Sequence, residues 1–386
     1  MTSFNAVFSS LPVTVFDTMS QLARDTGAIN LGQGFPDDPG PEDVRRRAAE
    51  AVLHESNQYP PMAGAAALRA AVAEHYRRFQ AVTLDPEREV LITSGATEAI
   101  ACALLALLEP GDEAVLLQPL YDAYLPLVLR AGGRPRLVSL TPPDWRLDEA
   151  AIRAAVGPRT KLVLLNNPLN PAGAVYGRAE LEGLARTLAG SDALLVADEV
   201  WEHVVFDGRR HVSVMSVPGL AERAVKIGSA GKIFGLTGWK VGFVCAPAAT
   251  LRVIAKAHQF LTFTTPPNLQ AAVAYGLGKD ALWFDLMRAG LQAKRDRLAA
   301  GFAEAGLTPL PSAGTYFLNV DLAPLGVTDD AAFCDRLVRE AGVAAIPVSS
   351  FYAESKVTTA ARFCFAKDDA TLDRAAERVA AFTRRF

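Results

Sequence analysis

One stretch of the sequence holds an amine in surroundings that favour covalent chemistry: Gly228-Ser229-Ala230-Gly231-Lys232-Ile233-Phe234-Gly235-Leu236-Thr237-Gly238-Trp239-Lys240-Val241-Gly242-Phe243. Lys232 has glycines and apolar residues for neighbours and no carboxylate close by in sequence. A lysine stripped of water gives up its proton more readily, as an amine that must form a Schiff base requires. Glycines let a backbone turn and approach a ligand closely. Ser229 and Lys240 add a hydroxyl and a cation, both able to hold a phosphate. A P-loop is excluded, because Lys226 stands where its first glycine belongs and Ile233 stands where it needs Ser or Thr. Taken alone, the window suits a cofactor site or a glycine-rich loop with an exposed lysine.

Other chemistry-bearing residues lie at a distance. Upstream are Asn167-Pro168-Leu169-Asn170-Pro171-Ala172-Gly173 and Ala197-Asp198-Glu199-Val200-Trp201, and Arg362 comes late. In this order, with Ser229-Ala230-Gly231-Lys232, the motifs resemble the class I aminotransferases of fold type I, which use pyridoxal 5'-phosphate. The resemblance runs from about residue 12 to about residue 372. It is nearest to the kynurenine aminotransferase/glutamine transaminase K branch, through Gly32-Gln33-Gly34-Phe35-Pro36-Asp37, Gly314-Thr315-Tyr316-Phe317-Leu318 and Arg362-Phe363-Cys364-Phe365. A sister group, the N-succinyldiaminopimelate aminotransferases, shares most of these motifs, and Asn57-Gln58-Tyr59-Pro60-Pro61 leans that way.

The resemblance implies a role for each residue. Lys232 would anchor the cofactor aldehyde and carry the proton taken from the substrate Cα. Asp198 would keep the pyridine nitrogen protonated, and Tyr121 would stack on the ring. Ser229, Lys240 and the helix start at Gly95, Ala96 and Thr97 would hold the phosphate, with Tyr59 reaching in from a second subunit. Asn170 would bond the phenolic oxygen and the substrate carboxylate, which Gly34 and Arg362 would also bind. Phe351, and Phe263 from the neighbouring subunit, would wall the side-chain pocket. A homodimer with shared active sites follows.

Two departures stand out. A tyrosine usually follows Asp-Glu-Val, and here it is Trp201. An indole N–H donates but neither accepts nor ionises, so the contact to the phenolic oxygen is made from a shifted position or lost. The kynurenine-type enzymes also carry an aromatic where this chain has Val13, which weakens any preference for aromatic substrates.

Positioning such residues needs a scaffold, and the hydrophobic pattern supplies one. Short apolar runs at 90–93, 114–117, 134–140, 161–165, 193–197 and 224–227 read as strands, and 241–245 as another. Helical stretches fall between several of them, at 95–108, 148–156 and 178–189. Strands alternating with helices argue an α/β fold, with a mostly parallel sheet covered on both faces. In such sheets ligands bind beyond the carboxyl ends of the strands, where Asn166, Asp198 and Ser229 fall. Residues 12–26 read as a helix with a mostly apolar stripe that includes Phe16, and a second alternation from Thr315 onward, with a strand over 343–346, predicts a smaller α/β domain. The expected division is a large cofactor-binding domain over 36–285, with 1–35 and 286–386 forming an N-terminal arm and small C-terminal domain.

Composition narrows the field. The chain has 386 residues, half of them hydrophobic, and a net charge of −3, so nothing points to nucleic acid. No apolar run reaches membrane-spanning length, and no signal-peptide pattern opens the chain. A cytoplasmic enzyme is expected, with the four widely spaced cysteines as buried free thiols. No pair of cysteines has metal-ligand spacing, so no metal is expected. Rival readings are β-elimination on cysteine S-conjugates at the same site, a transcription regulator built on this fold, and a nicotinamide dehydrogenase. The regulator would carry a DNA-binding segment before the arm, and the dehydrogenase would need a Gly-x-Gly-x-x-Gly after a strand.

Overall fold

The computed structural model describes residues 4–385. Its centre is a seven-stranded sheet. Across it run Val90–Thr93, Gly242–Cys245, Ala224–Ser229, Leu194–Asp198, Thr160–Asn166, Glu113–Gln118 and Arg134–Ser139. Gly242–Cys245 runs opposite to the other six, which share one direction. Side chains alternate between the two faces of a strand. Leu116, Leu164 and Val196 therefore enter one core with Ala99 and Ala103 of helix Gly95–Leu107. Val115, Val163 and Leu195 enter another with Leu181, Leu184 and Leu188 of helix Arg178–Leu188. Both faces are covered, and the α/β class expected from the sequence is the one observed.

Register brings the chemistry together. Asn166 lies opposite Asp198, and Asp198 opposite Ile227, so neighbouring strands end side by side. Gly242 pairs with both Ser229 and Thr93, so the antiparallel strand starts at that same edge.

A four-stranded antiparallel sheet, Ile346–Pro347, Ala360–Cys364, Phe317–Asp321 and Thr308–Pro309, stands beside it. Ile29–Asn30 pairs in parallel with Val343–Ala344, which ties the N-terminal segment to the C-terminal part of the chain. The single strand expected over 343–346 is thus two short ones on different partners, with Ala345 between them. The expected helix over 12–26 starts later, at Val15, because the Thr14 side chain caps it by accepting from the Asp17 N–H. Residue 285 falls near the start of one continuous helix, Ala281–Glu304.

Candidate active site

A cavity of about 330 Å³ lies where the strands Thr160–Asn166, Leu194–Asp198 and Ala224–Ser229 end, with Asn166, Asp198 and Ser229 in its wall. Its opposite wall comes from Phe16 and Asp17 of the helix Val15–Thr26, Gln33 to Phe35, Phe317 and Arg362.

Ser229 is the last residue of its strand and caps the short helix Ala230–Ile233, its Oγ accepting the Lys232 N–H at 3.4 Å. That turn delivers Lys232 to the cavity. Nζ lies 3.2 Å from the Tyr316 hydroxyl, 3.5 Å from the Gly34 carbonyl and 4.7 Å from the centre of the Trp201 ring. The protein around the ammonium removes enough water to lower its pKa to about 8, against the smaller opposing pull of Asp198.

Asp198 is buried at the end of its strand. Tyr124 donates to its Oδ2 at 2.5 Å, and the Val200 N–H to its Oδ1 at 3.3 Å. Burial pushes the carboxyl above the usual range, while these hydrogen bonds and the Lys232 charge pull it back.

The helix Gly95–Leu107 points its start at the cavity, with Ala96 and Thr97 in the wall and no side-chain cap on its N–H groups. Free N–H groups and the helix dipole together favour an anion there. Gly95 has φ +80°, and a Cβ on it would lie 3.2 Å from Lys240 Cε and 3.4 Å from Nζ. The Lys240 amine therefore stands beside the same helix start. Thr97 and Tyr121 share a hydroxyl contact at 3.4 Å.

Arg362 is buried between aromatic rings, with its guanidinium carbon 3.9 Å from the Phe317 centroid, 5.1 Å from Phe351 and 5.3 Å from Phe16. Nη1 donates to Asn170 Oδ1 at 3.1 Å and Nη2 to the Gly32 carbonyl at 2.8 Å, while Nε is buried without a partner. Burial lowers its pKa to about 10, so it stays a cation at neutral pH.

The family model for aminotransferase class I and II matches residues 26–379. The chain belongs to that family. It is an aminotransferase, and the family's cofactor is pyridoxal 5'-phosphate. It resembles the solved structure of N-succinyldiaminopimelate aminotransferase from Mycobacterium tuberculosis, with a TM-score of 0.95 and 44% identity over 98% of this chain and 100% of that one. It is 41% identical to the methionine aminotransferase of Escherichia coli over 96% of both chains. It is 36% identical to human kynurenine–oxoglutarate transaminase 1, over 91% of this chain and 92% of the relative.

The aminotransferase cavity fits that cofactor by the chemistry of its groups. It offers one amine with a lowered pKa, one buried carboxylate lacking a cationic partner at hydrogen-bond distance, and an uncapped helix start beside a second amine. The buried, unpartnered Nε of Arg362 is a donor awaiting an acceptor.

Of the residues expected from the sequence, the cavity wall gathers ten. Gly34, Ala96, Thr97, Tyr121 and Asn170 line it, as do Asp198, Trp201, Ser229, Lys232 and Arg362. Gly95 and Lys240 stand just behind that wall. Phe351 does not line the cavity; it backs Arg362 and meets Phe16 edge to face at 5.7 Å. Tyr59 and Phe263 lie outside it, paired edge to face at 5.6 Å, with Tyr59 83% exposed. Val13 precedes the helix cap and is 74% exposed. From the helix that follows, Phe16 lines the cavity, so the expected loss of an aromatic wall at this end of the chain is corrected.

Sequence reasoning missed Tyr124, Tyr316 and the role of Phe16. Tyr316 lay inside a recognised motif, but nothing in the motif says that its hydroxyl faces Lys232. Also missed was a buried cluster behind Asp198, where Lys226 Nζ sits 2.6 Å from both Glu199 Oε2 and Glu202 Oε2. Glu199, Glu202 and His211 are close enough together to hold a metal ion, and the Lys226 ammonium bridges the two carboxylates.

Proposed function

We propose that this aminotransferase moves the amino group of an L-amino acid with an uncharged side chain, of the glutamine, methionine, aromatic or kynurenine type, to a 2-oxo acid. The single observation behind this reading is the charge of the wall. Its charged residues are Lys232, Asp198, Arg362, Asp17 and Asp122. The first three have roles at the reacting centre. Those left to meet a side chain, Asp17 and Asp122, are both carboxylates and would repel a second substrate carboxylate. Phe16, Phe35 and Ile100 supply apolar surface beside them.

Pyridoxal 5'-phosphate, when bound, supplies an aldehyde that couples reversibly to amines and a ring that takes up electron density from Cα. Lys232 would hold that aldehyde and, once displaced by the substrate amine, use its free Nζ to take the Cα proton. Asp198, ionised against the ring N–H⁺, would keep that nitrogen protonated. Tyr121 would wall the ring, with Trp201 beside the Lys232 amine. Ser229, Lys240 and the N–H groups at Gly95, Ala96 and Thr97 would hold the phosphate. Asn170 would meet the phenolic oxygen. Arg362 would clamp the α-carboxylate with its planar fork, with Gly34 alongside.

The exposed pair Tyr59 and Phe263 supports a homodimer in which each subunit completes the other's site. The buried free cysteines suit a reducing cytoplasm. The large sheet, whose strands fall between residues 90 and 245, lies within the cofactor-binding domain inferred over 36–285, with 1–35 and 286–386 inferred as the smaller part.

A second reading, N-succinyldiaminopimelate as amino donor, draws on the 44% identity to the mycobacterial protein. An amino-donor panel tested against 2-oxoglutarate and pyruvate separates the two. Turnover confined to the succinylated donor would overturn the neutral-side-chain reading. Pyruvate and ammonia released without a 2-oxo acid would instead mark β-elimination. Lys232→Ala should abolish turnover with every donor.

A further inference from the structure

We propose that Tyr316 is a positioning residue for Lys232, holding its amine by a hydrogen bond so that the nitrogen lone pair faces the substrate, and that Trp201 is the buttress that fixes Tyr316. The proposal rests on the reading of Lys232 as the reacting amine.

Tyr316 immediately precedes the strand Phe317–Asp321, and its side chain is buried. Its backbone is pinned by the Phe365 N–H, which donates to the Tyr316 carbonyl at 3.0 Å. Its ring meets the Trp201 ring at 4.4 Å and 88°, and the Phe317 ring at 5.1 Å and 63°. Edge-to-face contacts of this kind restrict a ring to one orientation. The Tyr316 hydroxyl therefore has a fixed address, 2.8 Å from the Gly34 carbonyl and 3.2 Å from Lys232 Nζ.

A phenol has one proton to donate. The Gly34 carbonyl can only accept, so the proton goes there. Toward Lys232 the oxygen is then an acceptor, and Lys232 must offer an N–H. Burial holds the Tyr316 hydroxyl well above its ordinary pKa, so this polarity persists across the working pH range. A neutral amine that donates one N–H to Tyr316 turns its lone pair elsewhere. The Lys232 side chain borders the cavity, so the open direction is the cavity itself. The same contact favours the ammonium over the amine, because an acceptor stabilises the charged donor more.

This gives the tryptophan a purpose. An indole cannot do what the usual phenol does at position 201, but its flat edge braces a different phenol. That second phenol reaches Lys232 from the small sheet, so the large and small sheets meet at one nitrogen.

Tyr316→Phe keeps the ring and removes only the hydroxyl. Three measurements read the outcome. First, the rate of cofactor condensation with apoenzyme, followed by absorbance across pH, reports the Lys232 amine. In wild type its midpoint falls near the pKa of about 8. In Tyr316→Phe the ammonium has lost an acceptor, so the midpoint moves to lower pH. Second, kcat falls about ten- to a hundredfold, as expected when a reacting group is misaligned, while KM for the amino donor and Kd for the cofactor change little. Third, Trp201→Ala moves the same midpoint in the same direction, and adding Tyr316→Phe to it causes no further shift. If Tyr316→Phe folds, keeps the wild-type midpoint and keeps kcat, the proposal is wrong. If Tyr316→Phe fails to fold, a fluorinated tyrosine at 316, which keeps the shape but is a weaker acceptor, decides by the same midpoint: a shift to lower pH supports the proposal and an unmoved midpoint overturns it. Lys232→Ala is the control: if it still turns over, the reading of Lys232 fails, whereas an inactive Lys232→Ala beside a wild-type-like Tyr316→Phe sinks the Tyr316 role alone.

Discussion

Lys226 donates to the Glu199 carboxylate at 2.6 Å with both side chains fully buried. Glu199 follows Asp198, and its own N–H donates to the Ile227 carbonyl at 2.9 Å, so this ion pair underlies the strand ends that carry the site. Removing one partner of a buried pair strands the other charge, which typically costs about 3–5 kcal/mol. Lys226→Met should therefore lower the stability of the apoenzyme by that order in urea unfolding. An unfolding midpoint equal to wild type would show that Glu199 and Glu202 do not depend on Lys226.

The same pair sets a pH window. Its partners hold the Glu199 carboxyl down at about 2, against 4.5 for an ordinary glutamate. A depressed folded pKa means the unfolded state binds the proton first. The stabilisation is complete above about pH 4.5 and is lost as pH falls toward 2. Melting temperature should thus fall through this window, and the fall should be shallower in Glu199→Gln. Parallel curves for the two proteins would remove Glu199 from the account.

Arg362 would grip its expected carboxylate with a fork whose central carbon lies 3.9 Å from the centre of the Phe317 ring. Lysine brings a point charge and neither the fork nor the stacking. One lost charge-assisted hydrogen bond is worth about 1.5–3 kcal/mol. Arg362→Lys should raise KM for the amino donor roughly ten- to a hundredfold, with cofactor affinity unchanged. An unchanged KM would place the carboxylate elsewhere.

Much of this site was legible in the sequence because its anchors sit where strands end, and strand ends follow from local apolar runs. Asn166, Asp198 and Ser229 share an edge because parallel neighbours stay in register. What stayed hidden depends on approach across the chain. Tyr124 reaches Asp198 from 74 residues away, and Tyr316 reaches Lys232 from 84. No local period encodes such a meeting. Phe16 belongs to the apolar stripe of its helix, but only the position of the Thr14 cap decides that Phe16 rather than Val13 turns into the cavity. The strand at 343–346 misled for a related reason: its β pattern is real, but two different partners divide it.

Tyr124 offers a test of Asp198. Burial already pushes that carboxyl up, and the tyrosine hydroxyl is the largest force pulling it back. Tyr124→Phe should raise it further, so Asp198 takes up a proton at a higher pH than in wild type. A protonated Asp198 cannot hold the ring nitrogen as a cation, so the acid limb of the kcat–pH profile should move to higher pH. Asp198→Asn, which never ionises, should lose on the order of a hundredfold or more in kcat. An acid limb unmoved by Tyr124→Phe would assign it to another group.

Gly242 is the sharpest test of the phosphate site, because its constraint is steric. The antiparallel strand begins at Gly242 against the start of the helix Gly95–Leu107. A Cβ there would fall 2.6 Å from the Gly95 carbonyl carbon and 2.8 Å from the Ala96 nitrogen. Both are backbone atoms, so no rotamer relieves the clash and the helix start must move. Gly242→Ala should therefore weaken pyridoxal 5'-phosphate binding at least about tenfold, equivalent to about 1.4 kcal/mol. Pyridoxal without its phosphate makes no demand on the helix start, so its affinity should fall much less. Overpacking of this kind also costs about 1–3 kcal/mol of stability, which a melting curve would register. Equal losses for pyridoxal and its phosphate would mean that the displaced backbone disturbs the whole cavity, and that Ala96 and Thr97 are not the anion's particular hosts.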